Sequence, residues 1–331
     1  MSSYWSGRRV AVTGGAGFVG SHVVEQLAAA GAQVTVVDRL SRGKEENLQT
    51  VRGQIRLARV DLRDLEAATD AFKNQEVLLH LAARVAGVAV NQAHPAEMFL
   101  ENVAASMNAL EAARRAGVRR VEVVSSACVY PRDCRIPTPE EEGFRDDPDR
   151  SNLGYGWAKR FAEVQGRLYA VEHGMEVGIV RPYNTYGPRD HFNPETSHVI
   201  PSLLCRVLKG EDPLVVWGDG SQSRAFLFVE DFARGVLEAA ERYPRPDPIN
   251  LGTAEEISIK ELIELILELC GRRPKLLFDP SRPSGQPRRN CDVTKAERLI
   301  GFQARIPLRE GLRRTIEWYR RHRPEDSVAK D

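Results

Sequence analysis

Between residues 9 and 181, short apolar runs alternate with stretches in which apolar positions recur every three or four residues. The runs at 10–13, 34–38, 55–58, 77–81, 121–125 and 178–181 are rich in Val, Ile and Leu, with few polar interruptions. A strand covered on both faces needs such continuity. The periodic stretches predict helices over 19–30, 64–72, 95–116 and 155–172. Regular alternation of strand and helix implies parallel strands joined by right-handed crossovers, hence a doubly wound α/β sheet.

Beyond residue 181 the rhythm loosens, and Pro and Gly punctuate shorter elements. Helices are still predicted over 199–209, 229–242, 258–270 and 307–320, while 280–289 reads as a Pro/Arg/Ser-rich loop. Three parts are expected. Residues 1–181 form a dinucleotide-binding domain, and 182–321 form mainly a smaller α/β substrate lobe, with some return to the large domain. Residues 322–331 form a frayed tail.

Composition excludes more than it assigns. Of the 331 residues 42% are hydrophobic and 28% charged, and the formal charge is +1, ordinary for a globular protein. Such a balance gives no field for general binding of nucleic acid or membrane surface. No run reaches the roughly 20 apolar residues of a membrane span, and the first residues are too short and polar for a signal peptide. Five scattered cysteines, never at CxxC spacing, suggest neither a disulfide framework nor a zinc site. A cytoplasmic setting without a metal is the expectation.

The first strand runs into Gly14, Gly17 and Gly20, a GxxGxxG series that also brings Phe18 and Val19 to the start of a helix. Such a turn lets backbone N–H groups approach a pyrophosphate, and the last glycine lets helix pack on strand. Asp38 follows at the end of the second strand, placed to accept the ribose hydroxyls of NAD. Arg39 beside it could soften the preference against NADP. Asp61 and Leu62 after the third strand are assigned to the adenine side, and Leu81, Ala82 and Ala83 after the fourth to the crevice wall. These features give a Rossmann-type domain binding NAD.

Tyr155 and Lys159 are four residues apart, on one helix face. A phenol with an ordinary pKa near 10 becomes a usable base when neighbouring positive charge lowers that value. Ser126, at another strand end, would orient the substrate oxygen.

TGGAGFVG, HLAA, SSACVYP, YGWAK and RPYNTYGP together resemble the extended short-chain dehydrogenase/reductase family over about residues 9–320. Within it, Ser125 to Pro131 is similar to a segment of GDP-L-fucose synthases and GDP-mannose 3,5-epimerases. The stretch from Tyr186 to Pro201 resembles the synthase region around a catalytic histidine. The resemblance implies that Cys128 and His198 are acid and base on opposite faces of a 4-keto sugar. It implies that Arg224, Arg289 and Asn184 meet the diphosphate, with Val199 and Trp217 also lining the substrate site. It implies a homodimer built on the helices over 95–116 and 155–172.

Two departures divide the resemblance. Asp38 is unlike the NADPH-using synthases, whereas His198 stands where the synthase has its histidine and the catalytic lysine of the 3,5-epimerases has no clear counterpart here. The leading expectation is therefore a redox-neutral GDP-hexose epimerase that oxidises C4 transiently and inverts C3 or C5. The alternatives are a GDP-L-fucose synthase-like epimerase/reductase using NAD(P)H, a simple C4 epimerase, and a non-enzymatic NAD(H)-binding regulatory protein. A 4,6-dehydratase is disfavoured because Ala127 and Cys128 replace its Asp-Glu pair.

Overall fold

The apolar runs become strands because both sides of each are covered. In the computed structural model, which describes residues 3–194, 196–281 and 286–323, they are β1 (Arg9–Thr13), β2 (Gln33–Val37), β3 (Ile55–Ala58), β4 (Val77–His80), β5 (Arg120–Val124) and β6 (Glu176–Pro182). All four residues of β4 are buried, whereas β3, at one edge, stays half-open. Alternation along β1 divides the core. Val10 and Val12 pack with Val23, Val24 and Leu27 on one face, while Ala11 packs with Phe72, Leu110 and Ala162 on the other.

Crossover helices α1 (Phe18–Ala29), α2 (Leu65–Phe72), the short α3 (Val88–Ala93), α4 (Pro95–Arg115) and α5 (Leu153–His173) connect these strands. Asp64 starts α2 by accepting the Ala67 N–H at 3.0 Å, and left-handed Gly174 ends α5. A seventh strand, Ile249–Leu251, is too short and too interrupted by Asn250 to be read from the sequence. It joins the sheet beside β6, giving the parallel order 249–251, β6, β5, β4, β1, β2, β3. Strand order reverses between β1 and β4, where an open α/β sheet leaves its crevice.

The later chain supplies α6 (Val199–Leu208), α7 (Val229–Arg242), α8 (Ile259–Cys270), α9 (Thr294–Ile300) and α10 (Leu308–His322). Amphipathic α7 returns to the main sheet: Ala233, Leu237 and Ala240 join the core beneath β1, β2 and β4. A separate core gathers Leu203, Leu204, Leu262, Ile266, Leu312, Ile316 and Tyr319 from α6, α8 and α10. Ser258 and Glu261 close a reciprocal cap at the start of α8. Of the tail expected from 322 onward, His322 still belongs to α10, and 324–331 lie outside the described residues. Residues 282–285 of the Pro/Arg/Ser-rich loop are likewise outside. No described helix is long and apolar enough to cross a membrane.

Candidate active site

The cofactor residues expected around the glycine turn and after β2, β3 and β4 lie at the carboxyl edge of the sheet or at the start of α1. Tyr155 and Lys159, expected to touch the cofactor too, lie on α5. Gly14 has φ of 68°, and a Cβ there would come within 2.9 Å of the Ala82 Cα. At Gly20 a Cβ would stand 2.1 Å from the Gly14 carbonyl, so α1 can press onto the turn only without one. No side chain caps α1, so its first N–H groups remain for an anion. Phe18 and Val19 open that helix, Leu62 is buried, and Leu81, Ala82 and Ala83 form the half-buried wall after β4. These residues fit a dinucleotide.

The second-strand acid is held in place. Asp38 accepts the Ala16 N–H at 3.1 Å and the Leu40 N–H at 2.8 Å, which fixes its carboxylate against the glycine turn. Arg39 does not stand free beside it. Its guanidinium reaches Asp61 at 3.2 Å and Glu101 at 3.7 Å. Asp61 in turn pairs with Arg63 at 2.6 Å, and the Arg63 hydrogen bonds hold its carboxyl well below the usual range.

Tyr155 and Lys159 share the inner face of α5, with the Lys159 Nζ 5.6 Å from the Tyr155 ring centre. That nitrogen donates to the Val124 carbonyl at 2.8 Å, tying the helix to the end of β5. Ser126 accepts the Cys128 N–H at 3.1 Å, and both residues lie near enough to the Tyr155 phenol to act on it. The sequence argument had the phenol pulled down by neighbouring charge. In the structure burial pushes the Tyr155 phenol up, nearby Cys128 adds to this, and the Ser126 hydrogen bond offsets only part. Burial also pushes Lys159 down, to about 8.

The substrate-side residues converge from elements distant in sequence. The short strand Arg288–Arg289 pairs in parallel with Ser223–Ala225, putting Arg289 directly beside Arg224. Cys128, Tyr183 and Asp149 lie near enough to Arg289 to act on its charge. Arg224 is pushed down to about 10 by burial and then by the charge of Arg289. His198 stands at the start of α6, but its side chain makes no cap hydrogen bond. It reaches solvent although protein surrounds it, as a group lining a cleft does. Burial, then Arg289, then His191 disfavour its protonated form. Asn184, with φ of 37°, gives a side-chain N–H to the Ala225 carbonyl at 2.9 Å, so it braces the Arg224 strand. Val199 begins α6, and Trp217 is exposed at the end of the strand Leu214–Trp217.

Residues 10–252 match the NAD dependent epimerase/dehydratase family. The chain belongs to that family. A dTDP-4-dehydro-6-deoxy-D-allose reductase from Streptomyces sp is 36% identical over 323 residues, 96% of this chain and 98% of the relative. The GDP-L-fucose synthase of Escherichia coli (strain K12) is 31% identical over 329 residues, 95% and 97% of the two chains. Among solved structures, the UDP-glucose 4-epimerase of Thermotoga maritima, with UDP-glucose, superposes with a TM-score of 0.86. It is 32% identical and covers 95% of this chain and 99% of its own.

Two buried networks behind this epimerase/dehydratase site escape sequence reading. In the first, the Thr13 Oγ accepts N–H groups of Leu81 and Ala82, each at 3.2 Å, and faces the His80 Nδ1 at 2.9 Å. With its oxygen so used, Thr13 donates its proton to His80, whose other nitrogen donates to Ser106 at 3.2 Å. Burial pushes His80 down to about 3, so it stays neutral. In the second, Ser125 donates to Glu163 at 2.6 Å, and Glu163 holds Arg181 at 2.8 and 2.7 Å. Arg181 then donates to the Tyr130 hydroxyl at 3.0 Å, and Tyr130 to Asn250 at 2.6 Å. Polar residues inside apolar strands were the available signal: His80 in β4 and Arg181 in β6.

Proposed function

We propose that this chain is a nucleotide-sugar reductase acting at C4 of a 4-dehydro-6-deoxyhexose, with an acid–base pair that inverts C3 or C5 before reduction. The reading is carried by Cys128, whose N–H reaches the Ser126 oxygen at 3.1 Å and which lies near Tyr155 and Arg289, with His198 within reach of the same Arg289 charge. A keto group at C4 acidifies the protons on C3 and C5. Cys128 and His198 take a proton from one face and return one to the other, so the sugar changes configuration with no net change in atoms. Arg224 and Arg289 grip the diphosphate, which carries about two negative charges.

Reduced nicotinamide dinucleotide, held at the glycine turn, supplies the hydride that C4 receives. Tyr155 gives its phenolic proton to O4 as the carbonyl becomes a hydroxyl, and Ser126 holds that oxygen. A buried, protonated phenol is the form this direction requires. Lys159 fixes Tyr155 through α5 and stabilises the phenolate left behind. The name of the Streptomyces relative, a reductase of a dTDP-4-dehydro-6-deoxy sugar, supports C4 reduction over the redox-neutral reading. The redox-neutral GDP-hexose epimerase remains the second reading, favoured by Asp38. That acid, with Arg39 tied to Asp61 and Glu101, supports NAD(H) over NADP(H).

The working unit is a homodimer. On α5, Trp157, Val164, Leu168 and Val171 are exposed at spacings that keep one helix face. Exposed Phe99, Leu100 and Met107 lie on α4. Two helices presenting apolar stripes fit a second copy of themselves. Leu168→Glu then yields a monomer by light scattering.

The test uses two substrates, dTDP- and GDP-linked 4-dehydro-6-deoxyhexose, each in D₂O with NADH or NADPH. Consumption of reduced cofactor with deuterium at C3 or C5 supports the proposal. Consumption without deuterium removes the Cys128/His198 step. No consumption, with deuterium entering GDP-mannose in the absence of added cofactor, establishes the second reading instead.

A further inference from the structure

Charges of alternating sign form a chain across the carboxyl edge of the sheet, from α4 to the ends of β2 and β3. Arg84, after β4, reaches Glu97 at 2.7 Å and Glu101 at 2.9 Å, both on α4. Arg39, after β2, reaches Glu101 at 3.7 Å and Asp61 at 3.2 Å. Asp61, after β3, reaches Arg63 at 2.6 Å. Asn102 ties this stretch of α4 to the sheet edge. Its side-chain oxygen accepts the Arg84 N–H at 2.8 Å, and its amide donates to the Arg84 carbonyl at 3.1 Å. The carboxylate of Glu101 is therefore held between Arg84 and Arg39. Three cations and three anions cancel along the chain, while Asp38 forms no ion pair among the described residues.

We propose that Glu101 is a positioning residue that withholds Arg39 from the 2′-phosphate of NADP(H), so that α4 helps to set the dinucleotide preference. The proposal rests on the reading of Asp38 as the acid that receives the adenosine ribose of NAD(H). An arginine next to that acid is the group able to admit a 2′-phosphate. Here its donors are already engaged: Nε on the Ser41 hydroxyl at 2.9 Å, and the terminal nitrogens on Asp61 and Glu101. Asp61 is a shared anchor, because Arg63 makes the shorter contact with the same oxygen. Glu101 supplies the second hold. Turning Arg39 toward a phosphate would leave both carboxylates short of a cation beside a group of about two negative charges. All three side chains are partly exposed, so the restraint is worth a modest factor.

The readout is binding, which needs no turnover: fluorescence titration of NADH and of NADPH on the full chain at low ionic strength. The parent should bind NADH more tightly than NADPH. Glu101→Gln keeps the shape and removes the charge, and should tighten NADPH binding about three- to fivefold. Its affinity for NADH should stay within about twofold, since Glu101 is not among the residues assigned to the cofactor. Measured against Arg39→Met alone, adding Glu101→Gln should bring no gain, because no cation is left to release. A gain that survives in the Arg39→Met background comes from lost repulsion alone and overturns the proposal. Unchanged NADPH affinity in Glu101→Gln overturns it too, and leaves the Asp38 reading intact where the parent prefers NADH. A parent that binds NADPH as tightly as NADH sinks the Asp38 reading and the proposal together.

Discussion

Arg181 and Arg289 are both withdrawn into the protein, but their surroundings differ in kind. Arg181 is fully buried on β6, and its charge is met by Glu163 through two hydrogen bonds at 2.8 and 2.7 Å. Its remaining nitrogen serves the Tyr130 hydroxyl and the Glu140 carbonyl. Arg289 forms no ion pair among the described residues, and its strand neighbour is another arginine, Arg224. A buried charge whose partners come from the fold is part of the fold. A charge left without a counter-ion at a cleft is held ready for something that arrives. Arg181 ties the floor of the site together beneath Ser125, and the Arg224–Arg289 pair is the part proposed to receive an anion.

That contrast is most sharply tested by removing each arginine's charge. Arg181→Met strands the buried Glu163 carboxylate and should cost about 3–5 kcal/mol in urea denaturation. Arg181→Met combined with Glu163→Leu should recover most of the loss, since no charge is then left unpaired. A single-variant loss below about 1 kcal/mol would mean the network is not structural. Arg224→Met should do the opposite. Stability stays within about 0.5 kcal/mol of the parent, because no partner is orphaned. Calorimetric affinity for a nucleoside diphosphate falls by about 1.5–3 kcal/mol, the worth of a hydrogen bond to a charged group. A destabilised Arg224→Met protein with intact affinity would reverse the distinction.

The two regions also differed in how far they could be read from the sequence. The glycine turn, Asp38, Ser126, Tyr155 and Lys159 belong to local patterns, each fixed by a strand end or one turn of helix, and the apolar continuity of β1 to β6 announced the sheet. The register that sets Arg289 beside Arg224 joins two short polar segments with no periodicity, so only the folded chain brings them together. Ile249–Leu251 was missed for a similar reason, being three residues at a sheet edge. The pairing of Arg39 with Asp61 and Glu101 was equally illegible, because those partners come from a strand end and a helix remote from it in the chain. Local signals named the chemistry, and long-range pairing decided which charges were free to perform it.

Within the main sheet the same test of partners separates Glu163 from Glu122. Glu122 on β5 is fully buried, yet neither carboxylate oxygen has a hydrogen-bond partner among the described residues. Gly178 lies opposite it on β6, where a Cβ would come 1.9 Å from the Glu122 Oε2, so the carboxyl occupies a glycine's vacancy. Burial pushes its pKa well above the ordinary 4.5, and the folded chain therefore keeps a proton that the unfolded chain has lost. Stability falls as pH rises above that ordinary value. Glu122→Met, similar in length and free of the polar atoms, should gain about 1–3 kcal/mol at pH 7, and more at pH 8 than at pH 5. A gain independent of pH would show that the side chain ionises freely where it lies.

The smallest effect at neutral pH is expected at His80, and its pH dependence has the opposite sign. His80 is pushed from 6.5 down to about 3 by burial, with the Lys159 charge adding to it, so the unfolded chain binds the proton first. Stability is complete above 6.5 and is lost as pH falls from there toward 3, at up to about 1.4 kcal/mol per unit. His22, pushed down to about 4 chiefly by burial, acts in the same direction. His80→Gln keeps a donor and an acceptor for Thr13 and Ser106, and should cost only about 1 kcal/mol at pH 7. Between pH 6.5 and 4 its stability should decline less steeply than the parent's, with His22, His191 and His198 contributing the rest. Parallel curves would place the acid sensitivity elsewhere. They would also mean that the neutral His80 bridge between Thr13 and Ser106 does not depend on excluding a proton from beneath the cofactor crevice.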